Sequence, residues 1–307
     1  MKYIEFYKKE KISEKEVFAY FLNTLKPSIM TYDYFLNWEK INSAVSKYKI
    51  ELNLLNSLLN SENIESEFKS LIIKYPNLIP TLPVLLAVRD QELNIIKDYK
   101  SKDLTYTNYK FDLVSNIGEK EAKQYFIFFK ETGLINLFLN KKIKNLVDYV
   151  YGVEAGLDSN GRKNRTGKVM EKVVEIFISE LISKNKNLEY LSQATAHKIK
   201  DKWGYVVEFD KSARSFDFAI YNTNNKKIFL IETNFYNGGG SKLKSVCSEF
   251  KFLYNTLKSQ NIDFIWITDG NGWNTTKKPL EEAFNQNDYI FNLGQLEKDI
   301  LKEIICK

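Results

Sequence analysis

Chemistry in this sequence starts from two acids set in alternating, apolar segments, Asp217 in SFDFAIY and Glu232 in KKIFLIETNFY. Side chains two apart on a strand share a face. Glu232 and Asn234 therefore point the same way, while Phe216, Phe218 and Ile220 line the face opposite Asp217 and Ala219. The polar turn NTNNK between the segments predicts a hairpin that brings Asp217 to Glu232. Two acids at one sheet end are costly to bury unless a cation neutralises them, and hard carboxylate oxygens suit Mg2+. The expected metal ligands are Asp217, Glu232 and the carbonyl of Thr233, with Glu171 on the preceding helix holding a second metal or a water. Such a site polarises a phosphate ester and activates water against it. Surface charge on adjoining strands is the plainer alternative for two acids alone. Against it, Glu232 follows the apolar run IFLI and precedes Thr233, Asn234 and Phe235, placing it at the end of a buried strand, where clefts form.

Cations cluster nearby in sequence. The run NGRKNRTGK carries Asn160, Arg162, Lys163, Asn164, Arg165 and Lys168 with no acid between Asp158 and Glu171. Arginine forks pair with guanine or with phosphate and asparagine amides pair with adenine, so the run can read bases or clamp a backbone. A solvated loop is the bland alternative, but it gives no reason to gather two of the chain's scarce arginines. Gly238, Gly239 and Gly240 precede a helix opening at Ser241; they form either a tight turn or a set of N–H groups for a phosphate. Lys242 or Lys244, just beyond, can supply positive charge to the acids or stand as a solvated helix start.

The elements that must position these groups fall into two parts. Residues 1–150 read as a helical region, from the three- and four-residue apolar spacing of FAYFLNTL, IELNLLNSLLN, FKSLIIKY and NLVDYVYGV. YPNLIPTLPVL predicts a bend or a short extended run. Residues 151–307 are expected to form an α/β catalytic core, entered through the loop GLDSNGRKNRTG. A helix over about 167–183 follows, with Glu171 at the edge of its apolar stripe. Next come the hairpin, an amphipathic helix capped by Ser241, and a last buried strand, DFIWIT, before a helical tail. WGYVVEF is a candidate for one more strand ahead of the hairpin.

Composition excludes several alternatives. The chain has 307 residues, 44% hydrophobic, enough for one large core or two moderate ones. The net charge of +6 mildly favours an anionic partner. His197 is the sole histidine, which removes paired-histidine phosphodiesterases and histidine-ligated zinc hydrolases. Cys247 and Cys306 have no metal-binding or disulfide spacing, which points to a reducing, cytoplasmic setting. Neither a secretory leader nor a membrane span is expected.

A helix Glu, a strand Asp and a following E-x-N strand resemble the PD-(D/E)XK nuclease core over roughly residues 167–268, with Asn234 where that superfamily usually has lysine. The longer strings EAGLDSNGRKNRTG, IETNFYNGGGSKLK and WITDGNGW resemble the DpnII/MboI-type restriction endonucleases. That resemblance implies a mixed central sheet flanked by helices and a Mg2+-dependent cut of unmethylated double-stranded DNA at GATC, 5′ of the G. It also implies a companion adenine methyltransferase. A palindrome is most simply read by a homodimer. The helical region can supply the dimer interface, wrap the duplex or enlarge the core. Another nuclease of the same core, or a DNA binder with a vestigial site, are the alternatives.

Overall fold

The computed structural model describes residues 2–98, 104–208 and 214–307, apart from the side chains of Asp98 and Lys163. The chain forms two compact units, one of Met1–Thr31 with Lys163–Lys307 and the other of Tyr32–Arg162. This differs from a division at residue 150. The reason is that Phe6, Tyr7, Val17 and Phe21 of the first two helices, α1 (Glu5–Lys9) and α2 (Val17–Asn23), are buried in the same core as the central sheet.

The second unit contains α3 (Trp38–Lys47), α4 (Lys49–Leu55), α5 (Ile64–Lys74), the hairpin β1 (Glu92–Asp98) and β2 (Thr105–Lys110), then α6 (Glu119–Glu131), α7 (Leu134–Leu139) and α8 (Leu146–Asn160). It is mostly helical as its periodicity predicts, and the hairpin is an addition that periodicity did not reveal. Its aromatic core packs Phe68 against Phe129, with tilted rings whose centroids are 4.6 Å apart. The proline-rich YPNLIPTLPVL forms two short 3-10 segments, Pro76–Thr81 and Pro83–Leu86, whose Leu78, Ile79 and Leu82 are buried.

The first unit resumes with α9 (Arg162–Lys184), β3 (Leu188–Thr195), α10 (Ala196–Trp203), β4 (Ser215–Asn222), β5 (Lys227–Phe235), α11 (Ser241–Lys258), β6 (Asp263–Asp269), α12 (Lys277–Gln286), β7 (Tyr289–Phe291), α13 (Leu293–Leu296) and α14 (Ile300–Ile305). Its five-stranded sheet runs β3-β4-β5-β6-β7, antiparallel through β5 and parallel from β5 onward. The doubly apolar strands β5 and β6 are central because helices cover them: Phe250 of α11 meets Trp266 of β6 edge-on at 5.0 Å. From the other side of the chain's order, α9 contributes Met170, Val174, Ile178 and Leu181 to this core.

Three local expectations are corrected. GLDSNGRKNRTG is the end of α8 and the start of α9, separated only at Gly161, which keeps right-handed helical angles. An added Cβ at Gly156 or Gly167 would meet nothing within 4 Å, so these glycines mark no close approach, and their low helix propensity is outweighed by flanking buried stripes. Residues 203–208 of WGYVVEF form no strand, and Phe209 lies outside the described residues: Trp203 ends α10 and Gly204 caps it in the left-handed region at φ 68°, while the edge strand is the earlier LEYLSQAT. Ser241 does not cap α11. Gly240 occupies the N-cap at φ 146°, a conformation open to glycine, and Ser241 is the first helical residue.

Candidate active site

The hairpin register builds the site. Phe218 pairs with Ile231, so one step further along the two strands Asp217 stands across from Glu232, and antiparallel partners share a face. Asp217 is fixed by its neighbour: the backbone N–H and the Oγ1 hydroxyl of Thr233 each donate to Asp217 Oδ2 at 2.8 Å. Both bonds fall on the one oxygen, Oδ2. Thr233, expected to offer its carbonyl, is 8% exposed and serves here to orient Asp217.

Glu232 is nearly enclosed, its side chain 15% exposed. Burial pushes its carboxyl well above the usual range, Asp217 pushes it further, and Arg214 pulls it back, with Glu249 and Glu171 adding to the rise. Asp217 is likewise raised by burial against the pull of the Thr233 bonds. Glu171 on α9 is raised by burial and then by Asp217, opposed by Gln193 and by Lys168 one helical turn before it. Glu171, Asp217 and Glu232 are thus close enough to repel one another.

Asn234 shares the Glu232 face and is held by Trp266, whose indole N–H donates to Asn234 Oδ1 at 2.6 Å. Trp266 is fully buried and opposes Glu232 across the parallel pair. That bond commits the amide oxygen to the indole and fixes the orientation of the Asn234 amide.

The positive charge at these acids comes from a residue that sequence reasoning passed over. Arg214, just before β4, places Nη1 3.8 Å from Glu232 and Nη2 2.9 Å from Glu249, with its side chain 9% exposed. Its guanidinium also lies 5.9 Å from the Phe216 ring. Lys242 and Lys244, on the exposed first turn of α11, pair with no carboxylate among the described residues. The available signal was an arginine, scarce in this chain, directly ahead of the aspartate strand. Gln193 was missed as well: its Nε2 donates to Glu171 Oε2 at 3.0 Å.

The cationic run lies in helix. Asn160, Arg162, Asn164 and Lys168 are exposed, Arg165 is half-buried, and the Lys163 side chain lies outside the described residues. Asn160 and Arg162 belong to the second unit, where Arg162 Nε donates to the Phe35 carbonyl at 3.3 Å; Asn164, Arg165 and Lys168 belong to the first. Gly239 is exposed, yet an added Cβ would stand 2.0 Å from Thr275 Oγ1, so the glycine run serves at least as a close turn against the segment after β6.

In kind, the donors fit Mg2+. Asp217 and Glu232 offer hard carboxylate oxygens whose pKa values are raised chiefly by burial, so a bound cation would offset the cost of keeping them charged. Among the described residues no three acid, histidine or cysteine side chains already converge as a metal cage. Arg214 supplies the compensating charge at Glu232. Both cysteines are unpaired thiols, and no helix among the described residues is long and apolar enough to cross a membrane.

Comparison with known proteins converges on one family. The family model described as DpnII restriction endonuclease matches residues 17–303. The chain is 47% identical to the type II restriction enzyme MjaIII of Methanocaldococcus jannaschii, over 94% of this chain and 99% of that one. It is 42% identical to the type II restriction enzyme LlaDCHI of Lactococcus lactis subsp. cremoris, over 80% of each. It is 34% identical to the type II restriction enzyme MboI of Moraxella bovis, over 92% of this chain and 94% of that one.

Proposed function

Because this chain belongs to the DpnII family of type II restriction endonucleases, we propose that it makes Mg2+-dependent double-strand cuts at GATC, 5′ of the G, in DNA whose adenines are unmethylated. The observation that carries the catalytic half of this reading is the constellation of Glu171, Asp217 and Glu232 beside the oriented amide of Asn234. GATC and the methylation rule rest on the family resemblance of the strings EAGLDSNGRKNRTG, IETNFYNGGGSKLK and WITDGNGW.

Asp217 and Glu232 would hold the metal, with the Thr233 carbonyl as a third oxygen. When bound, Mg2+ supplies Lewis acidity to the scissile phosphate and to the attacking water. Asn234 donates its amide N–H to that water or to a phosphate oxygen. Arg214, next to Glu232, stabilises negative charge developing on the phosphate. Glu171, coupled to both acids, would hold a second metal ion or a metal-bound water. Water adds at phosphorus, the P–O3′ bond breaks, and the products are a 5′-phosphate and a 3′-hydroxyl. Arg162, Lys163, Arg165 and Lys168 contact DNA with Asn160 and Asn164, assisted by Gly239, Ser241 and Lys244 at the start of α11. The protein acts in the cytoplasm as a homodimer, one subunit per half-site, paired with an adenine methyltransferase that protects host DNA.

The test is digestion, with Mg2+, of one plasmid prepared from adenine-methylating and from non-methylating hosts, followed by mapping of the ends. Cleavage of the unmethylated DNA alone, at GATC, and its loss in Glu232→Ala, is the expected result. Cleavage at other sequences would overturn the specificity, and binding without cleavage of either plasmid would overturn the catalytic reading.

A further inference from the structure

Gln193 has a backbone unlike that of any other described strand residue. Its φ is 47°. The other non-glycine residues with positive φ, Lys11, Asn60, Ala87, Lys141, Lys226, Asn261 and Asp299, lie in turns, in bends or beside helix ends, where the left-handed conformation closes a bend. Gln193 lies inside β3. An L-residue there crowds its Cβ against the backbone, and such strain persists only where the surroundings enforce it.

The surroundings do enforce it, and at a telling place. In the β3–β4 register Ser192 pairs with Phe218 and Ala194 with Phe216, so the interrupted step faces Asp217. Lys198 Nζ, from the first turn of α10, donates to the Gln193 carbonyl at 2.8 Å and holds the turned peptide. Thr195 anchors that turn by accepting the Lys198 N–H at 3.3 Å. The turned backbone sends the Gln193 amide to Glu171, where Nε2 donates to Oε2 at 3.0 Å. Gln193 is itself exposed, so no core packing explains the conformation.

We propose that Gln193 is a positioning residue for Glu171: the left-handed kink in β3, latched by Lys198, aims its amide so that the Glu171 carboxylate is held toward Asp217 and Glu232. Resting on the reading of these three acids as the catalytic site, it adds a residue that touches neither metal nor DNA. Glycine tolerates the left-handed backbone, so Gln193→Gly removes the amide and the strain together, whereas Gln193→Ala removes the amide and keeps the strain.

The experiment compares wild type, Gln193→Ala, Gln193→Gly, Glu171→Gln and the Gln193→Ala/Glu171→Gln double variant. It reads single-turnover cleavage of a GATC duplex with Mg2+, KM for that duplex, Ca2+ affinity by calorimetry without DNA, and melting temperature. Loss of a partner that orients a site carboxylate is expected to lower kcat and Ca2+ affinity by about 10–100-fold. Both Gln193 variants should show this loss with KM unchanged. Gln193→Gly should melt no lower than wild type, and the double variant should be no slower than Glu171→Gln. The proposal is overturned if either single Gln193 variant keeps wild-type kcat and Ca2+ affinity, or if the two losses multiply in the double variant. A wild type that binds Ca2+ without cutting removes the GATC reading but leaves the Gln193 comparison to the Ca2+ affinities. A wild type that neither cuts nor binds Ca2+ overturns both.

Discussion

At the scale of single residues, the site solves a charge problem with an amide and a guanidinium. Asn234 cannot carry the positive charge that a lysine would, but its oxygen is fixed by the Trp266 indole, so its amide is held in one orientation beside Glu232. Asn234→Asp keeps an acceptor for Trp266 and removes the donor, and it should slow cleavage by about 100-fold or more while shifting the melting temperature little. Single-turnover rates beside thermal melts check this; an unchanged rate would remove Asn234 from the site. The buried acids make a second expectation with a definite sign. Glu232 has a folded pKa raised by burial and by Asp217, so its contribution to stability is present below the unfolded glutamate value of about 4.3 and is lost as pH rises through the folded value. In EDTA, Glu232→Gln should therefore melt above wild type at neutral pH, and the gap should close as pH falls toward about 4.3. Added Mg2+ should stabilise wild type and not the variant. Melts across pH with and without Mg2+ decide it, and a variant less stable than wild type in EDTA at pH 7 would sink it.

At the scale of elements, what could be read from sequence followed periodicity. The β4–β5 hairpin and the meeting of Asp217 with Glu232 were legible because a period of two leaves one register once a polar turn joins the strands. The α8–α9 junction was not, because its glycines, asparagines and serine signal turns unless tertiary packing overrides them, as the buried Asp158 does by accepting the Asn37 N–H at 2.9 Å. Edge strand β3 alternates weakly, and its kink at Gln193 has no sequence signature. Arg214 and Trp266 reach the site through tertiary register alone. Asp269 illustrates what such register hides. At the end of β6 its fully buried carboxylate accepts the backbone N–H groups of Lys26 and Gly270 at 2.6 Å and of Leu293 at 2.8 Å, clasping three segments of the first unit, while burial lifts its pKa to about 6. Asp269→Ala would strand those donors, at about 1–3 kcal/mol each. Denaturant unfolding should show a loss on the order of 3 kcal/mol or more. A loss under about 1 kcal/mol would mean that water or relaxation replaces the clasp.

At the scale of the whole molecule, the first unit is assembled from both ends of the chain. Phe6, Tyr7, Val17 and Phe21 are each under 5% exposed within its core, and Asp269 clasps the segment that follows them. Burying four such side chains contributes about 1.5–3 kcal/mol apiece, a sum comparable to the 5–15 kcal/mol that holds a typical domain folded. The three acids of the candidate site all lie on elements packed into this core: Glu171 on α9, Asp217 on β4 and Glu232 on β5. The opening segment therefore supports the candidate site through the core it helps to build. A chain lacking residues 2–31 should lose cooperative unfolding and cleavage together, whereas point changes at Glu232 or Asn234 should abolish or slow cleavage and leave cooperative unfolding intact. Circular dichroism melts run beside plasmid digestion separate the two cases. A truncated chain that still melts cooperatively and cuts DNA would show that residues 163–307 bury enough apolar surface by themselves, and the two-ended assembly would then be dispensable.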